Sequence, residues 1–518
     1  MYDAIIIGAG HNGLVTAAYL AKAGIRVLVL ERRERPGGTV ITETFAEGLT
    51  VDSVHAGGSL RPDIVKDLNL PAFGYPNPSA GPNLINVLSL TDRLVLSPDP
   101  SLASEAIKRF SEKDASRWPE FTAFMNRAAQ FLDLVYATPM PRLPKSINLN
   151  DGYGLFEMLL DLRLMGRRDV HAIIRMLPMS AAEFLDEWFE SDVLRATIAS
   201  IAIHHNTLGV MSPGTGYALL HNWLNRGGLA HNNVGKAGEI TGALARAVAA
   251  HGGEIRTNAK AFRIHVDTYT CKGVVLDSGE EIVAKAVISA IDPKRTFLEL
   301  VGAVNLPPEF VWNVQSIKMR GSTAKMHLLL DRPLGTRQAG KADPEQTTQH
   351  GGTTVIAPSI KALERAFDAS KYGRISEHPF LEITTSGKTA SITMQYAPFK
   401  LIDGSWKDHR AQLEDLILTT LDEKFPDLRA SIVKKASMTP HDLEDTYGLT
   451  EGDPNHGQLM LDQILFMRPI PGWSNHNTPI DGLFLSGSGV HGGGGVSGAG
   501  GRNAARIISR IFKQNRLK

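Results

Sequence analysis

Residues 2–31 carry a pattern with few physical solutions. Tyr2-Asp3-Ala4-Ile5-Ile6-Ile7 reads as a buried strand, and Gly8-Ala9-Gly10-His11-Asn12-Gly13 follows it at once. A helical stretch from Leu14 to Ala23, a stop at Gly24, and a second strand (Arg26-Val27-Leu28-Val29-Leu30) come next, closed by Glu31. A G-x-G-x-x-G turn between strand and helix is the dinucleotide fingerprint in its required context. Gly8 permits the tight turn, Gly10 lets the backbone approach a pyrophosphate, and Gly13 lets the helix pack closely on the sheet. The helix N-terminus offers its partial positive charge to the phosphates. Glu31 would accept hydrogen bonds from a ribose. A glycine turn alone is weak evidence; flanked by both strands and the terminal acid, it predicts a nucleotide site.

The remaining 487 positions must be consistent with that start. A chain of 518 residues implies two or three domains, or two large interleaved ones. With 43% hydrophobic and 21% charged residues, wholesale disorder is excluded. Lys and Arg total 55 against 54 Asp and Glu, which argues against a nucleic-acid partner needing a basic excess. The single cysteine, Cys271, rules out an internal disulfide, a CxxC redox pair and a thiolate metal cluster, and points to a reducing compartment. The immediate N-terminal strand leaves no room for a targeting peptide, and no apolar run approaches the roughly 20 residues of a membrane span. The expected location is cytoplasmic, with peripheral contact to a membrane surface left open.

Two later segments read as returns to the first domain. Ile240 to His251 is helical by its apolar spacing, Gly252-Gly253 stops it, and Glu254–Ile264 and Gly273–Leu276 read as strands. The buried run Ala286-Val287-Ile288-Ser289-Ala290 follows, broken by Asp292-Pro293. Near the end, Gly482-Leu483-Phe484-Leu485-Ser486 is a strand that runs into Gly487-Ser488-Gly489, Val490-His491, Gly492 to Gly495 and Val496. A basic helix from Arg502 to Phe512 closes the chain. So glycine-rich a stretch between strand and helix reads as backbone approaching a flat ligand rather than as a linker. No second G-x-G-x-x-G follows a strand, so a reductase with separate flavin and nicotinamide domains is not expected.

Glu31-Arg32-Arg33-Glu34-Arg35-Pro36-Gly37-Gly38-Thr39 resembles the ERRxRPGG stretch of amine oxidase and phytoene desaturase flavoproteins, with a hairpin following over Val40–Phe45 and Leu49–Val54. Together with Leu177–Leu185, Ser212-Pro213-Gly214-Thr215, His456-Gly457, Leu461-Asp462-Gln463, Arg468-Pro469 and the C-terminal glycines, nearly the whole chain resembles the phytoene desaturase and carotenoid isomerase group. Within it, the chain is similar to the bacterial relatives of pyridine nucleotide-disulfide oxidoreductase domain-containing protein 2. The resemblance implies an α/β fold: a discontinuous Rossmann-like FAD-binding domain (1–60, 236–295 and 475–518) with an inserted α+β substrate domain (61–235 and 296–474). A helical subdomain is expected near 105–205. It implies noncovalent FAD held by Gly8, Gly10, Asn12, Gly13, Glu31, Arg32, Gly37, Gly38, Thr39, Ala261, Gly487, Gly489, Gly495 and Val496.

The implied activity is hydride transfer between a lipophilic, isoprenoid-like substrate and flavin N5, giving desaturation, saturation or isomerisation. Oxygen, a quinone or another diffusible acceptor would re-oxidise the flavin. Lys236, His456 and His55 are the candidate proton-handling groups. Alternatives are an amine or amino-acid oxidase on the same scaffold, and a non-catalytic binding protein like the Rab GDP-dissociation inhibitors. Three departures from the group's pattern, at Gly235–Glu239, His476–Pro479 and His491–Gly495, are expected near the flavin face. Residues 151–205 interleave apolar Leu155, Met158, Leu159, Leu162, Met165, Ile173, Ile174, Met176, Leu177 and Met179 with Arg163, Arg167, Arg168 and Arg175. That is either a helical core with a charged face or a lipophilic tunnel. Adjacent His204 and His205 should face different ways, no HxH or HExxH spacing occurs, and no metal site is expected.

Overall fold

The computed structural model describes residues 2–77, 82–140, 158, 160, 162–336 and 352–514. The first sheet is assembled from three distant parts of the chain. Strands β1 (Tyr2–Ile7), β2 (Val27–Leu30), β7 (Glu254–Arg256), β10 (Glu281–Ser289) and β16 (Leu483–Leu485) pair in parallel; β8 (Ala261–Asp267) and β9 (Thr270–Leu276) extend β10 antiparallel. The β1 and β2 strands are nearly continuous apolar runs because helices and loops cover both their faces. One face packs against helices His11–Lys22, Ala237–Ala250 and Ala499–Lys513, whose side chains form one core with Ile6, Val29 and Ile288. The expected single strand from Glu254 to Ile264 is two: β7 ends at Arg256, and Asn258, at φ +52°, turns the chain before β8.

The hairpin β3 (Thr42–Ala46) and β4 (Leu49–Asp52) lies between the sheets, close to where alternation places it. The second sheet runs β15 (Ile432–Met438), β11 (Thr323–Leu330), β14 (Thr389–Gln395), β13 (Phe380–Ser386), β12 (Thr353–Val355), β5 (Leu84–Val87), β6 (Arg93–Leu96).

Its central strands alternate cleanly. Ala324, Met326, Leu328, Leu381, Ile383, Ala390, Ile392 and Met394 pack with Trp406, Leu413 and Ile417 of the helix Trp406–Asp422. The opposite face carries Thr323, Lys325, His327, Glu382, Thr384, Thr393 and Gln395, and all seven are buried. A half-exposed antiparallel sheet normally turns its polar face to water. Here that face is turned inward.

A helical region, with Glu112–Ala137, Arg167–Met176, Ala181–Asp186, Asp192–Ile203 and Thr215–Arg226, builds the third core around Trp118, Phe121, Phe184 and Phe189. Ile173 and Met176 join this core, while Arg163, Arg167, Arg168 and Arg175 are exposed. Arg168 pairs with Glu120 at 2.7 Å and Arg175 with Glu187. This is a helical core with a charged face; Leu155 and Leu159 lie outside the described residues. Thr215 opens the helix behind Gly214. No helix among the described residues is long and apolar enough to cross a membrane.

Candidate functional site

A cavity of ≈ 680 Å³ opens where the first turn meets β8 and the loop after residue 290. Gly8, Gly10, His11, Asn12, Glu31, Arg32, Gly38, Thr39 and Ala261 line it, with Arg295, Tyr447, His456 and Ser488. The fingerprint glycines divide their tasks as the turn requires. Gly8 sits at φ +97°, a conformation strained for any residue with a Cβ. A Cβ at Gly13 would lie 2.1 Å from Gly8 O, so Gly13 is demanded by helix-on-sheet packing. A Cβ at Gly10 would meet nothing within 4 Å: the backbone there faces open space.

Glu31 is buried, and its carboxylate accepts from Ala9 N at 3.0 Å and Arg33 N at 2.9 Å. It ties the end of β2 to the glycine turn while lining the cavity. Arg32 donates to Asp445 O (2.9 Å) and Thr446 O (2.8 Å), anchoring the 445–449 segment that forms one wall. Asn12 lines the cavity and has a bracing role besides. Its Oδ1 accepts from Gly501 N at 3.1 Å and its Nδ2 donates to Ser488 Oγ at 3.4 Å, so it joins the first helix to the closing segment.

The C-terminal glycines have a packing cause. A Cβ at Gly487 would lie 2.7 Å from Ala290 O; at Gly489, 2.7 Å from Pro293 Cδ; at Gly495, 2.2 Å from Asn225 Oδ1. Gly494 abuts the His221 ring, and Val496 packs on Gly58. These positions are small because protein crowds them, which a sequence read for ligand contact cannot distinguish. Gly37, at φ +137°, is likewise packed, against Ile41 and Thr241.

Of the three candidate catalytic groups, two are buried near this cavity and one is not. His456 lines the cavity, and its Nδ1 is buried without a partner among the described residues. Burial, reinforced by Arg468, lowers its pKa to about 4. The His55 amide donates to Thr39 O at 3.3 Å, and its ring is buried, with a pKa pushed well below the usual imidazole value by burial and then by His11 and Lys325. Lys236 is exposed at the start of the helix Ala237–Ala250. A strongly hydrated ammonium stays in water unless something pairs it inside, and the anion beside that helix end, Asp52, is already engaged. It accepts from Gly235 N (2.7 Å), Ala237 N (3.1 Å) and Thr42 Oγ1 (2.7 Å). The other departures are structural too. His476 Nδ1 bonds Leu485 O at 2.9 Å, and His491 Nε2 lies 3.0 Å from Val135 O.

Beyond His55 lies a set of groups that sequence reasoning missed. The His55 ring meets His205 edge-on at 5.3 Å, and His205 lies 4.0 Å from His204. The helix Asp192–Ile203 ends just before them and His205 adopts φ +51°, which turns the two neighbouring rings toward one place instead of apart. There His204 Nδ1 (3.0 Å) and His231 Nε2 (2.9 Å) share Glu382 Oε1, while Arg226 Nη2 donates to Oε2 at 2.5 Å. Burial alone would raise the Glu382 pKa; Arg226, His204 and His231 override it and hold the carboxyl well below its ordinary value. Burial lowers His204 to about 3, and lowers His231 with help from Arg226, so both rings are neutral at pH 7 and donate to a carboxylate.

Two strands over, Lys325 donates to Thr393 Oγ1 at 2.7 Å; burial lowers its pKa to about 8. His204, His231 and Glu382 each offer one ligand atom within 4.8 Å of the others, an arrangement that motif spacing could not reveal. The missed signal was the alternation itself. Thr-Ala-Lys-Met-His and Phe-Leu-Glu-Ile-Thr place charges where a half-exposed strand would place solvent-facing residues. Cys271, within β9, is buried, with its thiol pushed up to about 12 by burial.

Comparison with known proteins agrees with this geometry. The chain matches the family described as flavin containing amine oxidoreductase over residues 13–509. It is 32% identical to pyridine nucleotide-disulfide oxidoreductase domain-containing protein 2 of Rattus norvegicus, over 99% of this chain and 94% of that one. It is 24% identical to a limonene dehydrogenase subunit of Castellaniella defragrans (99% and 95%). Among solved structures, cyclohexylamine oxidase from Brevibacterium oxydans superimposes with a TM-score of 0.57 at 16% identity, covering 100% of each chain. The open cradle at Gly10, the ribose-side acid Glu31 and the buried, unpartnered His456 nitrogen all suit FAD. The chain is therefore a member of the flavin-containing amine oxidoreductase family, an FAD-dependent oxidoreductase.

Proposed function

We propose that the enzyme dehydrogenates an organic substrate in a chamber between the FAD half and the inward face of the second sheet. The single observation that carries this reading is the continuous path from Thr39 through His55, His205 and His204 to Glu382. Gly8, Gly10, Glu31, Arg32, Gly38, Thr39 and Ala261 would hold the dinucleotide noncovalently, with His456 close by. Once bound, FAD supplies a two-electron acceptor for a hydride from a substrate C–H. The buried wall excludes water and orients the substrate. The proton released with that hydride needs a neutral base on the flavin side of the chamber. His55 and His456, neutral at pH 7, would be its acceptors.

The names of two relatives, a limonene dehydrogenase subunit and a lycopene-forming phytoene desaturase, suggest an isoprenoid substrate. The polar wall favours a more functionalised molecule, and with it the amine or amino-acid oxidase alternative gains ground. Anaerobic mixing of the yellow protein with candidate substrates tests the redox reading. Bleaching of the flavin band by one of them, with oxidised product recovered in equal amount, supports it. A protein that binds FAD but is reduced by no alkene, alcohol or amine class would contradict it.

A further inference from the structure

The inward sheet face is unbalanced in hydrogen-bonding chemistry. Both oxygens of Glu382 already accept, from Arg226 on one side and from two histidines on the other. Donors remain. Arg226 Nε and Nη1 are buried with no partner among the described residues. Lys325 Nζ has three hydrogens, and Thr393 is its one hydrogen-bond acceptor among those residues. His205 has both ring nitrogens buried and unpartnered, and its neutral ring supplies one N–H donor. Buried polar groups in native proteins find partners, and a cluster of them left open on one side marks the place of a ligand or ordered water. What this cluster lacks is acceptors.

Charge points the same way. Arg226 and Lys325 flank one carboxylate of the wall, and Asp52, the other acid near Lys325, is engaged by two backbone amides and Thr42. A divalent cation on His204, His231 and Glu382 would have to sit against a guanidinium already bonded to that same carboxylate. An anion would meet two cations and open donors.

We propose that Arg226 and Lys325, with His205, bind a carboxylate of the substrate at this wall, so that the enzyme acts on an organic acid rather than on a hydrocarbon. This rests on the redox reading above for the word substrate, but the binding itself can be measured without turnover. Calorimetry on the purified holoenzyme, in a buffer free of carboxylates, would compare hexanoate and benzoate with 1-hexanol and benzyl alcohol. The acids are expected to bind about tenfold or more tightly than their alcohols, the scale of one charge-assisted hydrogen bond. Lys325→Met should remove most of that difference while FAD stays bound. Should the variant not fold, the acid-to-alcohol ratio in the parent protein decides alone.

Alcohols binding as well as acids would overturn the proposal. So would stoichiometric zinc binding that Glu382→Gln abolishes, which would make the cluster a cation site. If acids bind but nothing reduces the flavin, the redox reading fails and the carboxylate site stands. If a hydrocarbon reduces the flavin and acids do not compete, the redox reading stands and the carboxylate site fails.

Discussion

Lys325 and Glu382 lie in one cross-strand row, each directly opposite Thr393, on the buried face of the second sheet. Two strand spacings, about 9–10 Å, separate the buried amine from the buried carboxylate. The pair is therefore not a contact ion pair, and its members should respond differently to neutralisation. Glu382→Gln leaves Arg226 without its counter-charge and should cost about 3–5 kcal/mol. Lys325→Met removes an amine that burial already disfavours, and should leave thermal stability unchanged or raised. Melting temperatures of the two cofactor-free variants check this; equal losses would mean the two charges act as one unit.

Gly10 and Gly13 offer a paired test of the nucleotide cradle. Gly13→Ala drives a methyl into Gly8 O and should prevent folding or cost at least the 1–3 kcal/mol typical of overpacking. Gly10→Ala meets no protein atom, so the fold should persist within about 0.5 kcal/mol. FAD retention should nevertheless fall about tenfold or more, because the methyl enters the space left for the cofactor. Circular dichroism with flavin content separates the two outcomes; normal FAD content in a folded Gly10→Ala protein would remove this turn from the site.

Glu31→Ala should lose both cofactor and stability. Its carboxylate satisfies two backbone amides, and leaving those donors unpaired costs about 1–3 kcal/mol. A lower denaturation midpoint in the cofactor-free protein, alongside reduced FAD content, is the expected pair of results. Loss of FAD with an unchanged midpoint would assign Glu31 to the ribose alone.

Acid should destabilise the enzyme from pH 6.5 downward. Burial lowers His204, His221 and His327 to about 3 and His11, His456 and His476 to about 4. Each depressed folded pKa means that the unfolded chain binds the proton first. The stabilisation is complete above the unfolded value and shrinks by about 1.4 kcal/mol per pH unit per histidine as pH falls toward the folded one. Asp52 and Asp453, both raised to about 6 by burial, oppose this between about pH 4 and 6, because the folded state there holds their protons more tightly. Six histidines outweigh two acids. Urea midpoints at pH 7.5, 6.5 and 5.5 should fall in that order, and a flat series would mean these rings are charged or solvated.

Lys236→Met should change nothing measurable: the ammonium is exposed. Flavin midpoint potential and flavin content equal to those of the parent are expected, and a shifted potential would return this residue to the active site.

The FAD half was largely legible because its chemistry is local. Gly8, Gly10, Gly13 and Glu31 lie within 24 positions, and their spacing alone dictates strand, turn, helix and strand. Ala261 was found at the cavity because family resemblance supplied a long-range relation that periodicity could not. The buried polar wall was not legible. Arg226, Lys325 and Glu382 come from a helix and two strands separated by about a hundred and a further fifty-seven positions, and sheet register alone brings the strand residues into one row. Lys236 drew attention as a departure from a pattern, yet departure in sequence says nothing about which way a side chain turns. The C-terminal glycines have a packing cause that sequence could not show, since a glycine forced by Asn225 and one forced by a ligand look alike in one dimension.

The bond from Gly501 N to Asn12 Oδ1 spans 489 positions, and Thr16 Oγ1 reaches Gly501 O across nearly as many. The fingerprint helix is thus braced by two segments far from it in the chain, Ala237–Ala250 and Ala499–Lys513. The geometry of the cradle around Gly10 therefore depends on closing very long loops, whose entropy the packed core has to offset.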